Sequence, residues 1–328
     1  MTILAGDIGG TKTRLALFEQ GAERPVAVVE HTYKSADYPS LEAVVAAFLA
    51  ETGEAPDGAA FGLAGPVAGR VCRTTNLPWL VDADHLEQLT GIPRVHLLND
   101  LEAFAWGIGA LPEDALLTLH PGAPDAQGNR AVIAAGTGLG QAGMFWDGRN
   151  HHPFATEGGH TDFAPGNDLE FALLRFLAEE YHGHVSWERV VSGPGLRNLY
   201  RFLLRHRGAA TPEWLQEEMA QGDPAAAIAK AATEERDETC VETMTLFVHL
   251  YGVEAGNLAL KQMAKGGLYI GGGIAPKILP WLQQGLFLES LFHKGRMGPL
   301  LRTMPVRVIL DDRAGLLGPA VFMQARGG

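Results

Sequence analysis

The pattern that most constrains this chain is a strand that runs into paired glycines and at once reverses. It opens the sequence. Thr2-Ile3-Leu4-Ala5-Gly6-Asp7-Ile8-Gly9-Gly10-Thr11 is an apolar, strand-like run ending in an acid and a double glycine, and Lys12 to Phe18 reads as the returning strand. Paired glycines let backbone N–H groups approach an anion closely, because no Cβ stands in the way. An aspartate beside such a turn, here Asp7, can hold a hydrated cation. Together they suggest a site for a nucleoside triphosphate with its magnesium.

The order of elements then repeats. The first hairpin spans roughly Thr2 to Glu19, and Val26 to Tyr33 is a candidate third strand. Ser40 precedes Leu41, Val44, Val45, Phe48 and Leu49, the spacing of an amphipathic helix with an N-cap, which Gly53 can end. Ala59 to Ala64 reads as a buried strand running into Gly65-Pro66-Val67-Ala68-Gly69. Asp84 and Glu87 fit a capping box before a helix that stops near Gly91, and Val95 to Leu98 is a strand ending at Asn99-Asp100. In the second half Arg130 to Ala135 ends in Gly136-Thr137-Gly138-Leu139-Gly140, and Gln141 to Trp146 returns, closed by an Asp147-Gly148 turn. Gly267 to Ile270 runs into Gly271-Gly272-Gly273-Ile274, and Val306 to Leu310 ends in Asp311-Asp312. Glycine-turn hairpin, strand with glycine turn, strand with acid pair: this order predicts a duplicated strand–helix unit, two α/β halves facing each other across a cleft. Residues 151–199 read as an insertion carrying Glu157-Gly158-Gly159-His160 and a helix from Asp168 to Tyr181; residues 201–240 are polar and helical. A long helix from Val241 to Ala264 follows, with Gly252 and Gly256 spaced for close packing.

At 328 residues the chain is long for one core, so two domains are expected. A net charge of −12 argues against broad nucleic-acid or acidic-membrane binding. Two cysteines, Cys72 and Cys240, are too few for a disulfide framework and fit no zinc spacing, which points to a reducing compartment. The start lacks a basic segment followed by an apolar one, and no run approaches the ~18 apolar residues of a membrane span, so a cytoplasmic protein is expected.

Any one glycine turn is ordinarily a hairpin without a ligand. Three of them, each after a buried strand, point to phosphate binding. The first two sit on hairpins and suit β- or γ-phosphate; the third opens a helix and suits adenosine or its α-phosphate. Gly10-Thr11-Lys12-Thr13 matches the P-loop only superficially, because a strand follows it. Gly138, Gly140 and Gly143 match the dinucleotide fingerprint, but Met144 to Gly148 continues as strand and turn where a helix is needed. No serine-hydrolase elbow surrounds Ser186 or Ser192, and no His-Glu-x-x-His occurs. Asp100 is either the N-cap of a helix over Leu101–Trp106 or a general base for a hydroxyl, with Asn99 a hydroxyl binder. Glu157 and His160 lack a third metal ligand and read as hydrogen-bond partners for a polyol. Glu188 either joins them or is a surface acid.

Gly6-Asp7-Ile8-Gly9-Gly10-Thr11, Leu97-Leu98-Asn99-Asp100, Gly136 to Gly140, Glu157-Gly158-Gly159-His160, Ser192-Gly193-Pro194-Gly195 and Gly271-Gly272-Gly273-Ile274 resemble the bacterial glucokinases over about Ala5 to Gly318. The resemblance implies a two-lobed, duplicated actin-like (ribonuclease H-like) ATPase fold of the sugar-kinase, heat-shock-protein and actin superfamily. A small α/β domain would span residues 1–110, completed by about 311–328, and a large one residues 111–310. It implies ATP-dependent phosphorylation of glucose at the 6-hydroxyl, with Asp100 as base and Asn99, Asp100, Glu157, His160 and Glu188 on the sugar. Gly6, Asp7, Ile8, Gly9, Gly10 and Thr11, with Gly136, Thr137 and Gly138, would bind the phosphates, and Gly271, Gly272 and Gly273 would lie near adenosine. Asp7 is expected to reach Mg²⁺ through water. Related enzymes of the repressor, open-reading-frame and kinase (ROK) group carry a cysteine-rich zinc loop; it is absent here, so a zinc-free enzyme is expected, and the family is usually homodimeric. A kinase for another hexose or an amino sugar is the nearest alternative, and ADP or polyphosphate could use similar turns. A sugar-sensing regulator is disfavoured because its DNA-binding relatives need an N-terminal helix-turn-helix, whereas strand one begins at Thr2.

Overall fold

Thr2–Ile8 (β1) and Lys12–Glu19 (β2) pair antiparallel with Ile8 opposite Thr13, so the reversal is confined to Gly9, Gly10 and Thr11. The computed structural model describes residues 1–22 and 24–326; Gly327 and Gly328, the end of the expected 311–328 segment, lie outside the described residues. The chain forms two compact units. One comprises Met1–Ala115, His152–Ala155 and the segment that begins at Asp311; the other comprises Leu116–His151 and Thr156–Leu310.

In the first unit Val26–Lys34 (β3) follows, then Leu41–Thr52 (α1). Ser40 Oγ accepts the Ala43 N–H, and Gly53 closes the helix at φ 70°, as the sequence predicts. Gly58–Leu63 (β4) is buried at every residue; it pairs parallel with β1 on one side and Val95–Asn99 (β8) on the other, and helices cover it. Val67–Ala68 (β5), Val71–Arg73 (β6) and Leu80–Asp82 (β7) form a small antiparallel sheet. Ala83–Thr90 (α2) and Asp100–Ile108 (α3) complete the segment, and the main strand order is β3-β2-β1-β4-β8. The expected capping box is not what caps α2. Asp82 accepts the N–H groups of Asp84 and His85, because it ends β7 in an extended conformation; Asp84 is already helical, and it and Glu87 pair with Arg70.

The second unit contains Leu116–His120 (β9), Arg130–Ala135 (β10) and Leu139–Trp146 (β11). Residues His151–Thr156, of which His152–Ala155 belong to the first unit, form a strand (β12) at the start of the insertion the sequence suggests; Pro153 and the lack of apolar alternation conceal it. The helices Asp168–Glu180 (α4), Gly193–Arg207 (α5), Glu213–Gln221 (α6), Pro224–Thr233 (α7) and Glu238–Gln262 (α8) follow. Gly267–Gly271 (β13), the short helices Leu279–Gln283 (α9), Leu286–Phe292 (α10) and Gly298–Leu301 (α11), and Val306–Ile309 (β14) end the unit. Here β10 pairs antiparallel with β11 and parallel with β13, and β13 parallel with β14, the same pairing that β1 makes with β2 and β4, and β4 with β8. The repeat of order in the sequence is thus a repeat of strand pairing.

Helix α8 is buried on all sides for much of its length. It begins three residues before the sequence suggests, because Asp237 caps it by accepting the Cys240 N–H, and it ends at Met263 in a left-handed conformation rather than at the glycines beyond. Its Gly252 and Gly256 do admit close packing: a Cβ there would lie 2.4 Å from the Phe287 carbonyl oxygen and 2.5 Å from that of Leu291, in α10.

The first unit closes with Ala314–Arg326 (α12), which packs on α3. A Cβ at Gly318 would sit 1.7 Å from the Ala103 carbonyl oxygen, and one at Gly107 would sit 2.1 Å from that of Ala314. Gly318→Ala must therefore push the backbones of α3 and α12 apart, which costs roughly 1–3 kcal/mol or more. Scanning calorimetry should show a lower unfolding midpoint; an unchanged midpoint would mean that the helices have slack.

Candidate active site

Parallel strands deliver side chains to one edge of a sheet, and the first unit illustrates this. The register aligns Ile8 with Leu63 and Leu63 with Asn99, so β1, β4 and β8 end level. With strands about 4.8 Å apart, the backbone at Ile8 and that at Asn99 lie about 10 Å apart across β4. Asp7 therefore shares an edge with Asn99 and Asp100. The turn between β1 and β2 is tied back by its carbonyls. Ser35 Oγ donates to Gly9 O (2.9 Å), the Ser35 N–H to Thr11 O (3.0 Å), and the Gly9 N–H to Lys12 O (3.0 Å). The N–H groups of Gly10 and Thr11 take no partner among the described residues. Ser35 has no mark in the sequence that identifies it as the anchor of this turn.

Asp7 is held by Arg14, whose Nη2 and Nε lie 2.7 and 3.2 Å from Oδ2. Arg14 also reaches Asp312, at Oδ1 (3.1 Å) and at the carbonyl oxygen (3.2 Å). Burial pulls the Arg14 pKa down, but the carboxylates of Asp7 and Asp312 outweigh it and hold the pKa above its ordinary value. Asp7 Oδ1 has no protein partner among the described residues, and no group of three or more His, Cys, Asp or Glu gathers to cage a metal there. One oriented carboxylate oxygen suits a hydrated magnesium that takes its other ligands from water and phosphate.

The N-cap role that the sequence offers to Asp100 falls to Asn99. Asn99 ends β8 with extended backbone, and its Oδ1 accepts the N–H groups of Leu101 (3.0 Å) and Glu102 (3.3 Å). Its Nδ2 donates to Gly65 O (3.3 Å), leaving one amide hydrogen for anything else. Asp100 is the first helical residue, half-buried, with Oδ1 accepting the Leu101 N–H (2.9 Å).

In the second unit the Gly136 turn collects the other residues. The Gly136 N–H donates to Gly138 O, and the Gly193 N–H to Gly136 O, both at 2.8 Å. Glu188 is not a surface acid: its Oε2 accepts the Leu139 N–H (3.0 Å), and a Cβ on Gly138 would lie 2.5 Å from that oxygen. Ser192 Oγ donates to Glu188 O (2.7 Å) and accepts the Gly195 N–H (3.0 Å), joining Glu188 to the cap of α5. Glu157 leads into a 3₁₀ turn, Gly158–His160, that rests on β11, where a Cβ on Gly159 would fall 1.9 Å from Leu139 O. Glu157 Oε2 and His160 Nε2 are exposed and 3.9 Å apart. The Phe163 N–H donates to Val185 O (2.8 Å) and the Trp187 N–H to Thr161 O (3.0 Å), fastening the segment of Glu157 and His160 to that of Glu188.

The third turn leans on the same place. Gly272 has φ 83°, and a Cβ there would lie 2.4 Å from Ala135 O, to which the Ile274 N–H donates (3.2 Å). A cavity of about 820 Å³ opens here, within the range of small-molecule sites, lined by Gly136, Thr137, Gly273, Lys277, Arg197 and Arg201 among others. Tyr181 also lines it; the Arg189 guanidinium covers its ring at 4.2 Å, and Asn198 Nδ2 donates to its hydroxyl (3.1 Å). Nothing in the sequence marks Tyr181, Arg197, Asn198 or Arg201 individually as cavity residues. The one available signal is the Ser192-Gly193-Pro194-Gly195 motif, which starts the helix carrying three of them.

A family described as glucokinase matches residues 4–326. A glucokinase of Nostoc punctiforme is 44% identical over 333 residues, covering 97% of this chain and 98% of its own. One from Caulobacter is 34% identical over 325 residues, covering 99% and 95%. A crystal structure of glucokinase from an Antarctic psychrotroph matches with TM-score 0.86 at 33% identity over 99% of each chain. A ROK-family glucokinase from Streptomyces griseus, solved with glucose and AMPPNP, matches all of both chains with TM-score 0.63 at 22% identity, a likeness of fold.

The seat of Gly159 generates a test. Gly159→Ala should lift the turn of Glu157 and His160 off β11, seen as faster amide exchange over residues 156–161 and a lower unfolding midpoint. Unaltered exchange would show that the turn does not depend on this contact.

Proposed function

Since the chain belongs to the glucokinase family and is an ATP-dependent glucose kinase of the two-domain sugar-kinase and actin-type fold, we propose how its own residues divide that reaction. Asp100 is the general base: it accepts the proton of the glucose 6-hydroxyl as that oxygen attacks the γ-phosphorus, yielding glucose 6-phosphate and ADP. What carries this assignment is the register that sets Asp100 level with Asp7 and the Gly9–Thr11 turn on one sheet edge. Base catalysis contributes roughly 10²–10⁴-fold, so most of the acceleration must come from alignment and charge stabilisation.

Asp7, oriented by Arg14, would hold Mg²⁺ through water. Bound magnesium supplies charge neutralisation on the β- and γ-phosphates. The N–H groups of Gly10 and Thr11, and those of Thr137 and Gly138, bind phosphate oxygens; Gly6, Ile8 and Gly9 shape the first turn, and Gly136, its N–H bonded to Gly138 O, shapes the second. Adenosine occupies the 820 Å³ cavity lined by Gly273, with Gly271 and Gly272 leading β13 into that wall and Arg197 offsetting charge, while Arg201 is paired with Glu180 (2.9 Å). Glu157, His160, the outer oxygen of Glu188 and the remaining Asn99 N–H pair with sugar hydroxyls. Such groups discriminate strongly, because an acceptor lacking or inverting a hydroxyl leaves them unpaired. No helix among the described residues is long and apolar enough to cross a membrane. A cytoplasmic homodimer without zinc is the form proposed, and sedimentation velocity should show twice the 35.1 kDa chain mass.

A coupled assay for glucose 6-phosphate, run beside mannose, fructose and N-acetylglucosamine, measures the reaction. Asp100→Asn should retain glucose binding while kcat falls by roughly 10²–10⁴-fold. Near-normal turnover in that variant would refute the base assignment.

A further inference from the structure

Beneath the Glu157–His160 turn lies a buried polar group that the reaction does not use. Gln141 points from β11 into the interior, 2% exposed. Its Nε2 donates to Glu254 Oε1 (2.7 Å), and Glu254, in α8, is wholly buried. Asn257 Nδ2 donates to Glu254 Oε2 (2.9 Å), and Lys294 Nζ donates to Asn257 Oδ1 (2.7 Å). Burial pushes the Glu254 carboxyl pKa up and the Lys294 ammonium pKa down. An apolar residue would fill position 141 at less cost, since buried ionic networks contribute little net stability.

The amide has a second face. With Nε2 given to Glu254, Oε1 is turned to Gly158, where a Cβ would lie 2.0 Å from it. The main chain of Gln141 meets the same segment. Its carbonyl accepts from Thr156 Oγ1 (3.0 Å), which in turn accepts the Gly158 N–H (3.3 Å). Two residues earlier on β11, Leu139 supports Gly159 through its carbonyl and Glu188 through its N–H. Residues 139–141 therefore hold Glu157, His160 and Glu188 in one frame.

We propose that Gln141, oriented by Glu254, is a positioning residue for sugar recognition, its amide forming the seat that sets the height of the Glu157–His160 turn. This rests on the assignment of that turn to sugar binding. Misplacement by about 1 Å of groups that align a substrate costs on the order of 10²-fold, so a seat of this kind acts on glucose and not on the nucleotide.

Gln141→Met combined with Glu254→Met removes both polar ends without stranding a buried carboxylate. Glucose Kd by calorimetry and glucose KM should rise at least about tenfold, with ATP KM within about twofold. Glu254→Gln keeps an oxygen acceptor for the Gln141 amide and should bind glucose within about threefold of the parent protein. If the double variant does not fold, Gln141→Asn, which retracts the amide by one methylene, carries the same expectation. His160→Ala separates the two levels. If it weakens glucose binding while the double variant does not, the positioning role is overturned and the sugar-binding turn stands. If His160→Ala leaves glucose binding intact, the sugar-binding assignment falls. A parallel rise in glucose and ATP KM, or a Glu254→Gln loss as large as that of the double variant, also overturns the proposal.

Discussion

Around the end of β10, chain segments meet with no room for side chains between them. The Gly193 N–H bonds Gly136 O, Gly272 presses on Ala135 O, and Gly159 presses on Leu139 O. The Gly272 and Gly159 contacts are backbone on backbone, at 2.4 and 1.9 Å from where a Cβ would stand, distances a side chain would forbid. Because glycine alone permits this approach, strand ends, helix cap and loops can converge on one turn. That convergence brings Glu188, the Glu157–His160 turn and the cavity beside Gly273 together within the second unit. The first unit uses the device less densely, with Ser35 rather than a third glycine pinning the turn at Gly9.

An acidic chain that handles a polyphosphate has an electrostatic problem, and the structure meets it locally. Backbone N–H groups carry partial positive charge without adding formal charge or competing cations. The net charge of −12 is therefore no obstacle at the turns. Full charges appear at defined places: Arg14 bridges Asp7 and Asp312, and Arg197, Arg201 and Lys277 line the cavity together with Glu180, which pairs with Arg201, and Asp223. Arg14 has a double effect. It holds Asp7 Oδ2 and, through the same guanidinium, fastens Asp312.

The two sheets share a pairing scheme but carry different cargo. In the first, the edge carries acids at the strand ends themselves, Asp7 within β1 and Asp100 as the first helical residue after β8. In the second, equivalent strand ends serve as a platform, and the residues proposed to bind sugar arrive on inserted segments: Glu157 and His160 after β12, Glu188 before α5, with part of the cavity wall from α5 itself. An inserted loop needs an external reference to hold its geometry, and the buried pair of Gln141 and Glu254 supplies one from the sheet side.

Local chemistry was legible in the sequence wherever the deciding interaction lies within a few residues. The glycine-turn hairpins, the Ser40 cap and Gly53 stop of α1, and the duplicated order all follow from short-range sterics and periodicity. The sequence is ambiguous where two local solutions compete. Asp82 and Asp84 can each cap α2, and Asn99 and Asp100 can each cap α3; the choice depends on where the preceding strand stops, which pairing across the sheet decides. Strand β12 stayed hidden because a histidine pair and a proline mask it. The sequence by itself determined the chemistry of the turns, since close backbone approach at Gly159 and Gly272 requires glycine and leaves that signature in the chain. Tertiary structure alone decided that Ser35 anchors Gly9, that Tyr181 and Asn198 line the cavity, and that Gln141 meets Glu254 from 113 residues away. Contacts of that length leave no periodicity in the chain, because their partners are chosen by packing.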